Sequence, residues 1–492
     1  MDRKLLRTSL VLFLMAGLGL TGYGQNADSL FIRRLADEIL TNGKAYSNLQ
    51  TLTRQVGARL SGSPGYYKAE VWGQKALEAA GADKVWLQEC MVPHWVRGGK
   101  DSASWVSGPG VAGSGKGKDA GKGVKGAGGK TAGAGSGRHG LDILALGNSI
   151  GTGPKGLDAP VILIHSFEEL ELRKDEVKGK IVFYNYAFNP RFVETFRSYG
   201  DAVRYRVFGP SAAAKYGAAA VLVRSMTHAV DNNPHTGSTV YNDSFPKIPA
   251  AAVGLWDADK LAQALENSKP GDVRVYLRTL GRMLADTVAH NVIGEILGSE
   301  STDQFITVGG HLDSWDPAEG AMDDGAGCVH AIEVLRALKA TGYKPQHTIR
   351  VVLFANEENG GRGGEKYADE AKANGERHIF ALESDAGGFT PRGFTLSLSD
   401  EQLAAINPWV KLLQPYGVYE LVKGGGGADV SPLAPKLGAV VGELRPDSQR
   451  YFDYHHSRGD VLGVVNKREL ELGALNMAAL IYLVDKYGWN SH

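Results

Sequence analysis

The feature that most constrains the fold is the alternation of short apolar strands with helices from about residue 288 onwards. The predicted strands are NVIGEILG, QFITVGGH, TIRVVLFAN, HIFALESD and AVVGELR. The predicted helices span residues 326–341, 363–374, 401–413 and 467–487. Because parallel strands need long crossover connections that helices usually supply, this alternation predicts an α/β fold with a mostly parallel mixed sheet flanked by helices. In such sheets, ligands bind beyond the carboxyl ends of the strands.

Upstream of this region the pattern differs and predicts a second domain. Residues 25–154 are predicted to form the N-terminal part of the α/β domain, with two helices within residues 27–83 separated by the turn-rich QVGARLSGSPG. Residues 155–283 carry short apolar strands such as APVILIHS, AAAVLVRS and DVRVYLRT, which predict a compact, strand-rich domain inserted into the first. Residues 284–492 then complete the α/β domain.

The N-terminus, MDRKLLRTSLVLFLMAGLGLTGYGQ, has the pattern of a signal peptide. Three basic residues, Arg3, Lys4 and Arg7, precede an apolar run over residues 10–20, and small residues then lead to a predicted cleavage site. The apolar run is shorter than a membrane span requires, so stable membrane insertion is not expected. We therefore predict that residues 1–24 direct export to the periplasm or the extracellular space.

The composition excludes some partners and marks one unusual segment. Residues 108–140 contain 14 glycines, with lysines and alanines between them, and cannot bury enough apolar surface to offset their backbone entropy. We predict a disordered insertion there. Over the whole chain, 54 lysines and arginines balance 54 aspartates and glutamates, so no net field attracts nucleic acid or an anionic membrane. Cys90 and Cys328 are too few for a disulfide framework and are assigned no role.

Acidic residues and histidines follow the ends of the predicted strands. The clusters are His311 with Asp313, Asp323 with Asp324, Glu357 with Glu358, Glu383 with Asp385, and His455 and His456 with Asp460. Each cluster alone is explained by solvation, helix capping or a turn. Together they would bring like charges to one edge of the sheet, and a divalent metal is the usual way to hold several carboxylates at close range.

The histidines indicate which metal is bound. His311 and His456 supply nitrogen ligands, which zinc favours and which calcium and magnesium do not. Asp313 stands two residues after His311, where its carboxylate is expected to accept the other ring N–H. Asp460 is expected to act likewise near His456.

One carboxylate of the clusters must remain available for proton transfer. Water activated by zinc has to give up a proton, which later passes to the leaving amine. Glu357 is the predicted general base because it stands beside the predicted ligand Glu358. The residues therefore predict a hydrolase that uses a zinc-like ion and a glutamate base.

The order of these motifs resembles peptidase family M28, a family of two-zinc exopeptidases. The likeness rests on His-x-Asp, Asp-Asp-Gly-x-Gly, Glu-Glu, Ser-Asp and His-Ser-x-x-Asp, and it extends to GARLSGSPG, VPHWVRG, LALGNSIGT and YFDYHHSRGD. It covers nearly the whole mature chain apart from the Gly/Lys-rich insertion, and it implies a zinc-exopeptidase fold. Residues 155–283, with VKGKIVFYN and KYGAAAVLV, resemble a protease-associated domain inserted into the peptidase.

The resemblance also implies a role for each matching residue. Asp323 would bridge two zinc ions, one site being completed by His311 and Asp385. Glu358 and His456 would complete the other site. The further implied roles are Glu357 as general base, a cis peptide bond between Asp323 and Asp324, His455 as a neighbour of the ligands or the substrate, and Asp429 near the substrate terminus. A homodimer is also implied.

The predicted function is hydrolysis of dipeptides or short peptides, through a hydroxide that bridges two zinc ions, by dipeptidase or carboxypeptidase action. Three alternatives remain open. An M28-type aminopeptidase would require a free substrate amine. A glutaminyl cyclase uses a related fold with a single zinc ion, and a non-catalytic binding protein would be expected to have lost ligands. The complete set of five ligands favours two metals over these last two alternatives.

Overall fold

The structure is a computed structural model that describes residues 27–107 and 137–489. The predicted signal peptide and residues 108–136 of the predicted insertion lie outside the described residues. Within the described ranges, none of the helices combines the length and the apolar character that a membrane span requires.

The helices of the described chain are numbered in chain order. They are α1 (residues 27–42), α2 (Ala45–Thr51), α3 (Pro64–Ala80), α4 (Phe167–Leu172), α5 (Thr195–Ala202), α6 (Arg204–Val207), α7 (Gly209–Ala214), α8 (Leu255–Glu266), α9 (Ala326–Ala340), α10 (Arg362–Ala373), α11 (Asp400–Ile406), α12 (Val410–Leu413), α13 (Leu433–Leu437), α14 (Tyr451–Tyr454) and α15 (Lys467–Tyr487). Short 3₁₀ or π-helical turns lie at Leu52–Val56, Lys174–Glu176, Ala321–Gly325, Asn407–Trp409, Gln414–Tyr416 and Leu462–Val464.

The strands are numbered in the same way. They are β1 (Lys84–Val92), β2 (Trp95–Val96), β3 (Ser102–Ser107), β4 (His139–Leu141), β5 (Ile143–Ala145), β6 (Leu157–Ile164), β7 (Ile181–Tyr184), β8 (Ala220–Arg224), β9 (Ala250–Val253), β10 (Val273–Arg278), β11 (Arg282–Met283), β12 (Thr287–Ile296), β13 (Ser301–His311), β14 (His347–Phe354), β15 (Arg377–Glu383), β16 (Pro391–Leu396), β17 (Glu420–Lys423) and β18 (Val440–Pro446). The described chain divides into two compact units, residues 27–94 with 284–489, and residues 95–283.

The first unit is built on an eight-stranded mixed sheet in the order β1-β12-β14-β13-β15-β18-β16-β17. At its centre, β13 pairs in parallel with both β14 and β15, and β15 pairs in parallel with β18. The central strands are apolar runs that are buried along most of their length, as expected when helices cover both faces of a sheet. The predicted fold, a mostly parallel mixed sheet flanked by helices, is confirmed, and α15 has the predicted bounds.

The second unit has its own eight-stranded sheet, in the order β4-β3-β10-β6-β7-β8-β9-β5. Its strands β6, β7, β8 and β9 run parallel to one another, whereas the flanking pairs β3 with β10, β10 with β6, and β5 with β9 are antiparallel. Because β3 and β5 belong to this sheet, the unit begins at Trp95 and not at the predicted residue 155. The Gly/Lys-rich segment hides this continuity in the sequence, and β4 also shows that the predicted insertion ends before residue 139.

Two helix predictions differ from the structure. Residues 27–83 contain three helices, since α2 and the π-helical turn at Leu52–Val56 follow α1 directly. The apolar side of α2 is short, with Ala45 and Leu49 buried, so its periodicity is weak. The helix predicted over residues 401–413 is broken into α11, a 3₁₀ turn and α12, because Pro408 has no N–H to continue the helical hydrogen bonding.

A buried ion network lies nearer the amino ends of the central strands. Arg350 of β14 donates hydrogen bonds to Glu295 at 3.2 Å and to Glu376 at 2.8 Å. Its guanidinium also lies 4.1 Å from the centre of the Phe305 ring. Removing one member of such a network leaves its partners charged and buried.

We predict that Arg350→Met lowers the free energy of unfolding by about 3–5 kcal/mol, because the buried Glu295 would keep only the exposed Lys84 as a cation and the half-buried Glu376 would lose its guanidinium partner. Urea unfolding followed by fluorescence measures the change. The matched control is Lys423→Met, which removes an exposed ion pair with Asp400 and should cost a small fraction of that amount. Equal losses in the two variants would contradict the assignment of Arg350 to a buried network.

Candidate metal centre

The carboxyl ends of two adjacent parallel strands bring the first pair of candidate ligands together. His311 is the last residue of β13, and Asp385 follows β15 by two residues. The register aligns Gly309 with Glu383, so both chain segments leave the sheet at the same edge. As a result, the Nε2 atom of His311 lies 3.2 Å from Oδ1 of Asp385.

Asp323 joins this pair to a second pair of candidate ligands. Its Oδ1 atom lies 3.2 Å from Nε2 of His311, and its Oδ2 atom lies 3.2 Å from Nε2 of His456. The same nitrogen of His456 lies 3.1 Å from Oε2 of Glu358. The two oxygens of one carboxylate therefore face two separate groups of nitrogen and oxygen atoms, which is the arrangement expected of a residue that bridges two metal ions.

The segment that carries Asp323 is held by another carboxylate. Oδ1 of Asp460 accepts hydrogen bonds from the N–H groups of Ala321 and Met322, and Oδ2 accepts one from Asp323. Both oxygens of Asp460 thus accept backbone N–H groups, and the contact with the ring of His456 stays a prediction. Asp323 and Asp324 are joined by a cis peptide bond, as the resemblance implied.

The neighbouring Asp324 connects this turn to the first candidate ligand. Its Oδ2 atom accepts the N–H of His311 at 3.0 Å, and its Oδ1 atom accepts the N–H of Gly327 at 2.9 Å. A Cβ atom on Gly327 would lie 1.8 Å from the carbonyl oxygen of Ser384. The glycine is therefore required here because two segments of backbone approach too closely for any side chain.

Asp313 acts differently from its predicted role. Its backbone carbonyl lies 3.1 Å from Nδ1 of His311, whereas its carboxylate Oδ1 is 3.7 Å from that nitrogen. The carboxylate instead accepts the N–H of Glu357 at 3.1 Å. Asp313 thus fixes the orientation of the His311 ring with its main chain and the position of Glu357 with its side chain.

The two adjacent histidines are distinguished by distance. The ring of His456 lies 3.2 Å or less from both Asp323 and Glu358, whereas Nε2 of His455 lies 3.7 Å from Asp323. The two rings stack with their centres 3.5 Å apart. His456 has a left-handed backbone with φ of 59°. The geometry favours His456 as the ligand and places His455 behind it.

Burial and like charges dominate the electrostatics of the cluster. Burial, reinforced by Asp385, Glu358 and Asp323, raises the pKa of Glu357 to about 8, although His311 opposes the shift. Burial and the negative charge of Asp323 also raise the pKa of Glu358 well above its ordinary value.

Asp323 behaves in the opposite way. Burial opposes its ionisation, but hydrogen bonds from His311 and His456 hold its pKa well below its ordinary value. A carboxylate that stays ionised between two imidazoles, with further acids around it, is a donor set suited to a borderline-soft cation such as zinc. Two groups of atoms within 4.8 Å of one another, His311 with Asp323 and Asp385, and Asp323 with His455 and His456, fit this chemistry.

Two residues to which the sequence patterns assign no role contribute to the site, although Arg59 lies within the motif GARLSGSPG. The N–H of Trp315 donates to Oε1 of Glu358 at 3.1 Å, and the indole ring lies edge-on to His456 with ring centres 5.9 Å apart. Arg59 donates to backbone carbonyls of the segment between His311 and Asp323. The acceptors and donors that meet in such contacts are brought together only in the folded chain.

Comparison with known proteins places the chain among peptidases. The model of peptidase family M28 matches residues 291–481, which include all five candidate ligands. Carboxypeptidase Q of Mus musculus is 34% identical over 441 residues, covering 90% of this chain and 85% of that protein. Carboxypeptidase Q of Homo sapiens has the same identity and coverage.

Solved structures agree with the sequence comparison. The crystal structure of a peptidase M28 precursor from Shewanella amazonensis has a TM-score of 0.83 and 31% identity, and the match covers 95% of this chain and 97% of that one. The zinc aminopeptidase BSAP of Bacillus subtilis has a TM-score of 0.59 and 18% identity, with 90% and 95% coverage. This second likeness shows a shared fold alone.

We predict that the protein stripped of metal becomes less stable as the pH rises from about 4.5 to about 8. Burial raises the pKa of both Glu383 and Glu443, each to about 8, so the folded state holds protons that the unfolded state has released. Stability therefore falls as pH rises through this window. Urea midpoints of the chelator-treated protein at several pH values measure the trend.

The matched variants for this prediction differ in burial. Glu443→Gln should flatten the decline, because one of the groups that takes up a proton on folding is removed. Glu266→Gln changes an exposed glutamate and should leave the slope as it is. A stability that rises with pH over this range in the metal-free protein would show that the acidic cluster does not resist ionisation.

Proposed function

Because the chain belongs to peptidase family M28, we propose that it is a metallo-exopeptidase that uses two zinc ions to hydrolyse dipeptides or short peptides. The observation that carries this proposal is the position of Asp323, whose two carboxylate oxygens face His311 and His456 separately. Family membership and the likeness to carboxypeptidase Q support the exopeptidase chemistry. The number of metal ions is supported by the geometry of the bridge.

The proposed ligands fall into two groups that share one member. His311 and Asp385 would hold one ion, and Glu358 and His456 would hold the other, with Asp323 contributing one oxygen to each. Zinc ions bound there supply Lewis-acid activation of the scissile carbonyl group and of the attacking water. The protein's own contribution is to hold the five side chains in place before the ions arrive.

Glu357 is the proposed general base because, unlike Glu358, its carboxylate makes no hydrogen bond or ion pair among the described residues. Glu358 has one oxygen on the N–H of Trp315 and the other beside His456. Glu357 is held through its backbone N–H by Asp313, and its side chain is partly exposed. A proton taken up by Glu357 from water can be delivered to the leaving amine from the same position. Nearby cations would lower its raised pKa towards neutrality.

Asp429 is the proposed contact for the free amino group of the substrate. Its side chain is buried, and neither carboxylate oxygen has a hydrogen-bond partner among the described residues. Burying a carboxylate that has no hydrogen-bond donor is costly unless a cation binds to it. Burial and the negative charges of Glu383 and Glu357 raise the pKa of Asp429, so Asp429 interacts electrostatically with the proposed base. An ammonium group of a dipeptide would supply the missing donors, which favours unblocked substrates.

The rest of the chain suggests three further proposals. We propose that residues 1–24 direct export and are then removed, as their sequence pattern indicates. We propose that residues 95–283, with the parallel strands β6 to β9, form the protease-associated domain. A homodimer also remains a proposal, which sedimentation of the purified protein would test.

We predict that Glu357→Gln binds zinc as the unchanged protein does but loses about 10²- to 10⁴-fold in turnover, because the base that accepts the proton is gone. Atomic absorption gives the zinc content, and a dipeptide assay gives kcat. Glu370→Gln, on the exposed side of α10, is the matched control and should keep normal activity. Near-normal turnover in Glu357→Gln would remove this residue as the base, and loss of zinc would make it a ligand instead.

We predict that unblocked dipeptides are cleaved and their N-acetylated forms are not, because Asp429 would bind the free amino group of the substrate. Asp429→Asn should then lower kcat/KM for unblocked dipeptides about tenfold or more, since a buried charge contact is lost. Product analysis by mass spectrometry measures both results. Cleavage of an N-acetylated dipeptide at an unchanged rate would contradict the amine contact and indicate carboxypeptidase action.

The same analysis separates the remaining alternatives. A peptide with N-terminal glutamine should be hydrolysed, and its cyclisation without hydrolysis would instead support a glutaminyl cyclase. If the protein bound no zinc and cleaved no dipeptide after zinc was added, a non-catalytic binding role would replace the peptidase.

A further inference from the structure

A single buried arginine holds the chain segment that separates two of the proposed ligands. The side chain of Arg59 is fully buried, between the π-helical turn at Leu52–Val56 and the start of α3. Its Nε donates to the carbonyl of Leu312 at 2.5 Å, and its two terminal nitrogens donate to Glu319 at 2.6 Å and to Gly320 at 2.8 Å. Its hydrogen-bond acceptors are therefore backbone carbonyls and not carboxylates.

The positions of these acceptors relate Arg59 to the proposed metal sites. Leu312 directly follows His311, and Gly320 directly precedes the turn that carries Asp323. The planar guanidinium group thus donates hydrogen bonds to both ends of the segment 312–320 and connects them. The distance between the His311 and Asp323 side chains depends on how these ends are held.

The same segment also positions the glutamate pair. It contains Asp313, whose carboxylate accepts the N–H of Glu357, and Trp315, whose N–H donates to Glu358. A shift of the segment would therefore move a proposed ligand and the proposed base together.

The packing around Arg59 leaves no room for a side chain at Gly320. Gly320 has a left-handed φ of 61°, and a Cβ atom there would lie 2.3 Å from Cβ of Ser314 and 2.8 Å from Nη1 of Arg59. For stability alone, an apolar side chain of similar volume often serves a buried site as well as a charged one. A buried guanidinium whose donors reach both ends of one segment instead indicates a role in setting geometry.

We infer that Arg59 is a positioning residue that fixes the separation of the two metal sites, a role that rests on the proposed two-zinc function. It touches neither substrate nor metal and acts through the backbone of residues 312–320. Lysine keeps the charge but presents one ammonium group, which cannot reproduce the planar fork. Both Arg59→Lys and Arg59→Met should therefore disturb the sites.

The test compares the zinc affinity of Arg59→Lys and Arg59→Met with that of a control, Arg350→Lys. Arg350 is also a buried arginine, but it lies nearer the amino ends of the central strands, away from the proposed metal sites. Each chelator-stripped protein is titrated with zinc in competition with a chromophoric chelator, and with cobalt to record the visible spectrum. We expect at least one of the two zinc ions to bind about 10- to 100-fold more weakly in both Arg59 variants, with a changed cobalt spectrum. Arg350→Lys should lose stability and keep both affinities and the spectrum.

Hydrogen exchange of the metal-free proteins gives a second readout that needs no activity. The amides of residues 312–320 should exchange faster in the Arg59 variants than in the unchanged protein, and Arg350→Lys should not differ there. Folded Arg59 variants with unchanged zinc affinities would overturn the inference, as would an equal loss of affinity in Arg350→Lys. If the unchanged protein bound fewer than two zinc ions, the proposed function would fail and this inference with it, whereas failure of the inference alone leaves two ions bound in the unchanged protein.

Discussion

The organisation of this protein depends on the mutual repulsion of carboxylates at one edge of a parallel sheet. Asp323, Glu358 and Asp385 converge there, and Glu357 lies beside them, because the strands that carry or precede them end at the same edge. Their charges and their burial oppose ionisation, as the raised pKa values of Glu357 and Glu358 indicate. At Asp323 the hydrogen bonds from His311 and His456 outweigh this effect and hold the pKa well below its ordinary value. A pair of divalent cations would resolve the repulsion and make the cluster useful for hydrolysis.

The protein holds the cluster mainly through hydrogen bonds to its backbone. Asp460 accepts the N–H groups of the turn before Asp324, and Asp324 accepts the N–H of His311. Arg59 supplies the complementary donors to carbonyls of the preceding segment. Each contact uses an ionisable side chain to fix a short length of main chain, and the main chain in turn positions the proposed ligands. These backbone hydrogen bonds keep the clustered carboxylates close together although the carboxylates repel one another.

The sheet could be predicted because its signals are local, whereas the set of five ligands follows from the resemblance to family M28 and stays a prediction. Apolar runs that end in acids or histidines mark the strand ends, and parallel pairing then brings His311 and Asp385 together. The roles of Asp313 and Asp460 could not be predicted, since each depends on which backbone N–H groups lie nearby in the folded chain. The start of the second unit at Trp95 was hidden for a similar reason, because β3 pairs with a strand that lies far along the chain.

The most direct test of the central claim is anomalous diffraction at the zinc edge from crystals of the protein loaded with zinc. The account predicts two anomalous peaks about 3.5–4 Å apart, one on each side of the Asp323 carboxylate, with His311 beside one and His456 beside the other. A single peak, or two peaks that do not share Asp323, would contradict it.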